Sequence, residues 1–230
     1  MNSTTGHQTP WSNPVPTFGR LKLMKLSLVW CALSCSTAVA ASPPQLPPET
    51  TWVPSLSKQP SRGAMLGRFR ITFEKTTLSE VMLAVLGGTV LHEGDAGGSV
   101  YWLCYSVPGA GYIDRIWIQS SGEMGGPDQA VTEITAERFH NSRQSADCPL
   151  LPVNMRSVAF DGQLWLGIRA KVVESLLGPP SLRRGPWRSF DFQGKVAGDC
   201  QGGFDLTSWL VTKTENDRVA LIAAGQITSC

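Results

Sequence analysis

The chain has 230 residues, of which 42% are hydrophobic and 17% are charged, and this composition is that of a globular protein with room for one large domain or two small ones. Its formal net charge of +2 depends on Arg20, Lys22 and Lys25, because residues 1–40 contain no acidic residue. The remainder has 17 basic and 18 acidic residues, a net charge of −1. Without a clustered positive surface, nucleic acid is excluded as a partner.

The N-terminal residues have the pattern of a secretory signal. The three basic residues precede the apolar run "LSLVWCALS", and the small residues Ala38 and Ala40 follow it. The apolar core of roughly a dozen residues is shorter than the ~20 that a membrane-spanning helix requires. We therefore expect residues 1–40 to be a signal peptide, with translation starting at Met24, and the protein to be periplasmic or secreted.

Cys35 raises the question of a lipid anchor. A lipoprotein signal usually has leucine three positions before its lipidated cysteine, and "ALSC" has Ala32 there. We expect contact with a membrane only if Cys35 is lipidated.

The segment 41–66 reads as a linker, because Ser42 to Arg62 contains six prolines. Four cysteines follow the signal, an even number that an oxidising compartment would join in disulfides. These four cysteines can form two disulfides in three ways. The order along the chain favours Cys104–Cys148 and Cys200–Cys230.

A first helix-and-strand unit is predicted over residues 67–150. "FRITFE" alternates like a strand with one buried side, and Thr77 with Glu80 forms a capping box at the start of a short helix that Gly87 ends. Three strand-like runs follow, separated by Gly- and Pro-containing turns. The apolar positions expected on one helical face are Leu78, Val81, Met82, Val85 and Leu86.

The same order recurs over residues 151–230. The helix "IRAKVVESLLGPP" stops at Gly178, and an offset of 91 residues places Val81 on Val172. Farther along, the run "IWIQS" of the first half aligns with the run "SWLVT" of the second half. The expected fold class is therefore α+β, with two tandem units, each a short helix packed on a three- to four-stranded antiparallel sheet.

The helices "LSEVMLAVLGG" and "AKVVESLLGPP" resemble the repeat of small outer-membrane assembly lipoproteins of the BamE, SmpA or OmlA type. Two such repeats in tandem are similar to proteins of the β-lactamase inhibitory type. The likeness covers residues 69–230. The first helix differs from the family's repeat in having Gly88-Thr89 where that repeat has a proline. The resemblance implies a protein that binds other proteins, in the tandem case by covering an enzyme with a concave sheet.

Few residue patterns point to catalysis. Cys104 could form a nucleophilic pair with a histidine, but a disulfide explains it better. "HEGD" offers metal ligands without a second cluster, and reads as a solvated turn. We expect no enzyme activity, no cofactor and no metal. The alternative is a small cell-wall hydrolase that uses carboxylates from Asp114, Glu123 and Asp128.

Alternation instead predicts an interaction surface. If Ile116 and Ile118 face the helix, their neighbours face the other way, and similar reasoning applies to the second unit. Tryptophan combines a large apolar area with one donor, as binding surfaces need, although for any single tryptophan a place in a core is the favoured interpretation. The residues predicted to bind a partner protein are Arg115, Trp117, Gln119, Trp187, Trp209 and Lys213.

The expected function is that of an exported protein-binding module, with enzyme inhibition as one form of it, acting through the open faces of two paired sheets. Besides the hydrolase, a lipid-anchored component of outer-membrane assembly is the remaining alternative.

Overall fold

The computed structural model describes residues 42–47, 54–95, 98–121, 129–140, 145–198 and 202–230. These ranges lie within one compact unit, Val39–Cys230. The predicted signal with Cys35, as well as Cys200, Glu123 and Asp128, lies outside the described residues.

The described residues form eleven strands and two α-helices. In chain order these elements are β1 (Gly63–Leu66), β2 (Phe69–Thr72), α1 (Leu78–Val85), β3 (Leu91–Glu93), β4 (Val100–Gly109), β5 (Tyr112–Ser121), β6 (Glu133–His140), β7 (Val158–Phe160), α2 (Ala170–Leu177), β8 (Leu182–Arg184), β9 (Trp187–Val196), β10 (Phe204–Glu215) and β11 (Arg218–Ser229).

One eight-stranded antiparallel sheet dominates the fold. Its order is β3-β4-β5-β6-β11-β10-β9-β8, so that the two halves of the chain contribute four strands each and meet where β6 pairs with β11. In that pairing Ile222 lies opposite Ala136. We call the side of this sheet that carries Ile116 the first face and the opposite side the second face.

The predicted fold class of two separate helix-on-sheet units is wrong. The inner strands β6 and β11 pair with each other, because an unpaired edge leaves a row of backbone donors and acceptors without partners, and pairing merges the two predicted sheets into one. A second sheet, in the order β2-β1-β7, also joins both halves. The fold is mostly β, with two short helices. The domain boundary between residues 150 and 151 stays a prediction.

A single hydrophobic core covers the first face. Helix α1 packs on β4 and β5, and the small sheet contributes Ala64 and Leu66 from β1 and Phe160 from β7. From the large sheet the core receives side chains that alternate along each strand, as a strand with one buried side requires. These include Leu103, Tyr105, Ile116, Ile118, Ile134, Ala136, Phe190, Leu210, Ile222 and Ala224.

Helix α1 begins as the sequence predicts. The Glu80 N–H donates to Thr77 Oγ1 over 3.2 Å, and the Thr77 N–H donates to Glu80 Oε2 over 2.7 Å. Its end differs from the prediction, because Leu86, and not Gly87, has the left-handed conformation, with φ of 59°. Leu86 is consequently exposed, whereas the prediction placed it on the packed face.

Helix α2 corrects the alignment of the two halves. It spans residues 170–177 against 78–85 for α1, an offset of 92 residues and not 91. The correct offset places buried Val173, and not exposed Val172, on buried Val81. It also places Trp209 on Trp117, since these are 92 residues apart.

The predicted disulfide between Cys104 and Cys148 is present, with a Cα–Cα distance of 4.6 Å. Cys230 is disulfide-bonded as well, and because Cys200 lies outside the described residues, the pairing of these two stays a prediction. A disulfide fits an oxidising compartment. In the part of the chain that the structure describes, no helix is long and apolar enough to span a membrane.

Candidate functional site

The second face of the large sheet carries all six residues that the sequence predicts as a binding surface. Directly opposite residues on neighbouring strands point to the same side, so the strand register places these residues on shared rows. The first row contains Trp102, Gln119, Glu133, Gly225, Trp209 and Asp191. The second row contains Cys104, Trp117, Thr135, Ala223, Val211 and Ser189. The third row contains Ser106, Arg115, Glu137, Leu221, Lys213 and Trp187.

The exposure of these residues differs from the prediction. Trp117 and Trp209 retain 2% and 9% of their surface, and Gln119 is buried as well. Arg115, Trp187 and Lys213 are half-buried. The alternation in the sequence therefore predicted the correct side of the sheet, but of the six predicted residues only the three in the third row are partly exposed.

Trp117 lies in a small apolar cluster with the disulfide. Its neighbours in the cluster are Trp102, Cys104 and Cys148, all buried. Phe139 meets the Trp117 ring edge-on at 6.4 Å between centroids, and the Arg115 guanidinium lies 4.7 Å from the centre of the same phenyl ring. This corner is thus a second, smaller core on the far side of the sheet, and it fixes Arg115 at its rim.

Trp209 lies across Gly225 on the neighbouring strand. A Cβ atom at residue 225 would meet the indole ring, so the flat position of Trp209 requires glycine there. The indole donates a hydrogen bond to Glu133, which also accepts from Gln119 Nε2 at 2.8 Å and from Thr135 Oγ1 at 2.9 Å. Burial raises the pKa of Glu133, and these three donors act against that rise.

Asp191 flanks Trp209 on its other side. It is 2% exposed, and Ser189 Oγ donates to its Oδ2 over 2.8 Å. Among the described residues its Oδ1 has no hydrogen-bond donor. Burial raises the pKa of this carboxyl, with the hydrogen bonds from Ser189 and Ser181 opposing the rise. A half-buried carboxyl group, Glu133, and a buried one, Asp191, therefore lie on either side of Trp209.

Charges alternate along the third row. Arg115 lies opposite Glu137, Lys213 lies opposite Trp187, and Leu221 separates the two pairs. Burial raises the pKa of Glu137, while Lys213 and Arg115 favour its charged form. This row can both donate and accept hydrogen bonds beside the half-buried ring of Trp187.

A cavity of about 360 Å³ lies at the Trp102 end of the first row. Residues of β3, β4 and β5 form one wall and the proline-rich residues 43–45 form another. The residues lining it are Pro43, Pro44, Gln45, Glu93, Gly94, Gly98, Val100, Trp102 and Gln119.

The groups considered for catalysis are held in structural contacts. Asp114 accepts from Arg138 Nε and Nη2 at 2.7 and 2.8 Å. Cys104 is oxidised and cannot supply a thiolate, and the His92 ring stacks on Tyr101 at 4.2 Å. Within the described ranges, no group of three or more His, Cys, Asp or Glu side chains could hold a metal ion. Since Glu123 and Asp128 lie outside those ranges, the carboxylates of the hydrolase alternative stay a prediction.

Sequence reasoning missed three residues of the second face as site residues, namely Trp102, Glu133 and Asp191. Trp102 could have been found from Cys104, because residues two apart on a strand share a side. Glu133 and Asp191 could have been found in the same way from Thr135 and Ser189, but alternation gives no sign of how far a carboxyl group is buried.

Comparison of the chain with protein-family models, with curated proteins and with solved structures gives no match.

Proposed function

We propose that this protein is an exported binding protein whose second sheet face contacts another protein. The observation that carries the proposal is the third row, where half-buried Arg115 and Lys213 from opposite halves of the chain lie on one face with Trp187. Arginine and tryptophan are the residues most enriched among those that dominate binding energy at protein interfaces.

The dimensions of this row suit a protein partner. Arg115 and Trp187 lie on strands four positions apart in the sheet, a separation of roughly 19 Å at the usual strand spacing. A standard interface takes about 800 Å² from each partner. Because the row is only one residue wide, a partner of that size would also contact residues beyond the row.

The first and second rows, which lie beside the third row on the same face, support its rigidity. Trp209 is held by Glu133 and Gly225, and Trp117 is held by the disulfide cluster. Side chains that are fixed before binding lose less conformational entropy on association. Such a surface suits a tight binder, including an inhibitor that covers an enzyme, and the Cys104–Cys148 disulfide supports a periplasmic or secreted location.

The proposal can be tested by affinity capture with a charge-reversal variant. Immobilised wild-type protein, the double variant Arg115→Glu/Lys213→Glu and the control Lys75→Glu/Lys171→Glu are incubated with exported proteins of the producing cell. The control makes the same charge change at two exposed sites away from the second face. We expect a protein retained by wild type and control but not by the face variant. Equal retention by all three, or none by wild type, contradicts the proposal.

A further inference from the structure

The segment 42–47 packs on the second face with a regular pattern. Ser42 and Gln45 are exposed, while Pro43, Pro44, Leu46 and Pro47 are half-buried. Exposure thus repeats every third residue. A polyproline II helix has three residues per turn, so a chain in that conformation presents one of its three edges to solvent and the other two to the protein.

The surface beneath this segment has the chemistry of a proline-binding groove. Trp102 and Val100 supply apolar wall, and Gln119 and Glu93 supply polar groups. Proline-rich segments bind in aromatic-lined grooves because their preformed helix loses little entropy on binding. The sequence of the segment, Ser-Pro-Pro-Gln-Leu-Pro, contains the Pro-x-x-Pro spacing that such grooves recognise.

Trp102 provides an independent sign that this groove accepts a ligand. Its side chain is 2% exposed, and within the described part of the chain its Nε1–H has no acceptor. A buried donor without an acceptor costs about 1–3 kcal/mol. Polyproline II backbone has no internal hydrogen bonds, so its carbonyl groups are free to accept one.

We propose that the groove between Trp102, Val100 and Gln119 binds a proline-rich segment of the partner protein, and that residues 42–47 occupy part of it in the free protein. The remaining cavity of about 360 Å³ shows that this segment does not fill the groove. A partner segment with a carbonyl placed at Trp102 Nε1 satisfies the donor and replaces residues 42–47. This inference rests on the proposed function, since it assigns one contact of the same face.

Competition between the two segments determines the expected affinities. An internal occupant lowers the apparent affinity by the fraction of molecules whose groove is free. Weakening the internal segment with Pro43→Ser/Pro44→Ser should therefore strengthen binding of a peptide, by about tenfold if the groove is free in a tenth of wild-type molecules.

The test follows the indole N–H resonance of Trp102 in ¹⁵N-labelled full-length protein, assigned with Trp102→Phe. The probe is the peptide Ser-Pro-Pro-Gln-Leu-Pro-Pro, and the control peptide has alanine at every proline. We expect a saturable shift of the Trp102 resonance with the proline peptide only, and about tenfold tighter binding to Pro43→Ser/Pro44→Ser. Trp102→Phe, which removes the donor but keeps a ring, should bind about fivefold more weakly by peptide-detected titration.

Two further variants keep the result interpretable. Val100→Lys places a long side chain at the half-buried groove wall and should abolish binding even if Trp102→Phe does not fold. Val172→Lys makes the same exchange at an exposed position of α2, outside the groove, and should bind as wild type does. No saturable shift in Pro43→Ser/Pro44→Ser, or equal binding of the alanine peptide, overturns the inference. If the groove inference is overturned but partner capture still depends on Arg115 and Lys213, the proposed function stands without the groove.

Discussion

Gly225 lies directly opposite Trp209, and the indole ring covers the position where any side chain at residue 225 would begin. Through this relationship a residue without a side chain determines where one of the tryptophan side chains of the second face lies. The indole reaches Glu133 on the strand beyond, so that β6, β11 and β10 are connected by one side chain across the junction of the two halves.

Gly225→Ala should therefore displace Trp209. We expect the free energy of unfolding to fall by about 1–3 kcal/mol, the usual cost of overpacking a filled site, and the tryptophan emission to change. Urea unfolding followed by fluorescence measures both. Gly87→Ala is the matched control, because a Cβ atom there meets no other atom within 4 Å, and a similar loss in both variants would contradict this role of Gly225.

Asp191 should make stability depend on pH. Its pKa in the folded protein is raised above the ordinary value of 3.8, so the folded state binds the proton more tightly than the unfolded state. The resulting stabilisation is present below about pH 4 and is lost as the pH rises through the folded pKa.

Asp191→Asn removes this titration. Wild type should thus become less stable relative to the variant between pH 4 and pH 7, as measured by urea unfolding at each pH. Asp205→Asn is the control, because that side chain is 61% exposed and its ion pair with Lys195 is screened by solvent. A difference between wild type and Asp191→Asn that does not change with pH would show that burial does not shift this group.

The Cys104–Cys148 disulfide should contribute to stability. Its cysteines are 44 residues apart, and closing a loop of that length stabilises by about 4 kcal/mol in the chain-entropy model. We expect Cys104→Ser/Cys148→Ser to lose about that amount in urea unfolding under oxidising conditions. Reducing agent should bring wild type towards the variant. An unchanged midpoint after both treatments would rule out the disulfide as a main stabilising element.

The starts of the two helices should respond oppositely to substitution. Thr77→Ala removes the side-chain cap of α1 and should cost about 1 kcal/mol. Arg169, at the equivalent position of α2, makes no side-chain cap, and Arg169→Ser should add about 0.5–1 kcal/mol. Thermal unfolding of the two single variants checks the signs, and shifts in the same direction would contradict this account of the caps.

Local patterns in the sequence predicted the elements well. The capping box at Thr77 and Glu80 and the stop at Gly178 are both present. These features depend on neighbouring residues, which a sequence displays directly. The end of α1 was wrong by one residue because Leu86, despite its side chain, takes the left-handed conformation that the prediction gave to Gly87.

Long-range pairing was not predictable in the same way. Nothing in β6 or β11 distinguishes a strand at an edge from one with two neighbours, so the union of the two sheets left no local sign. Alternation correctly placed Trp117 and Trp209 on the side away from Ile116. It could not show that both are buried, because burial depends on what lies over a face, including segments distant in sequence.

The shortness of the outer strands has a consequence for self-association. β3 and β8 have three residues each, so among the described residues most of the outer flanks of β4 and β9 have no neighbouring strand. Irregular segments cover part of this gap: Ser106 N–H donates to Pro149 O on one flank, and Ser55 and Leu56 N–H donate to Asp191 O on the other. Because an uncovered flank can template the addition of another chain, these backbone hydrogen bonds reduce the length of each flank that is open to such pairing.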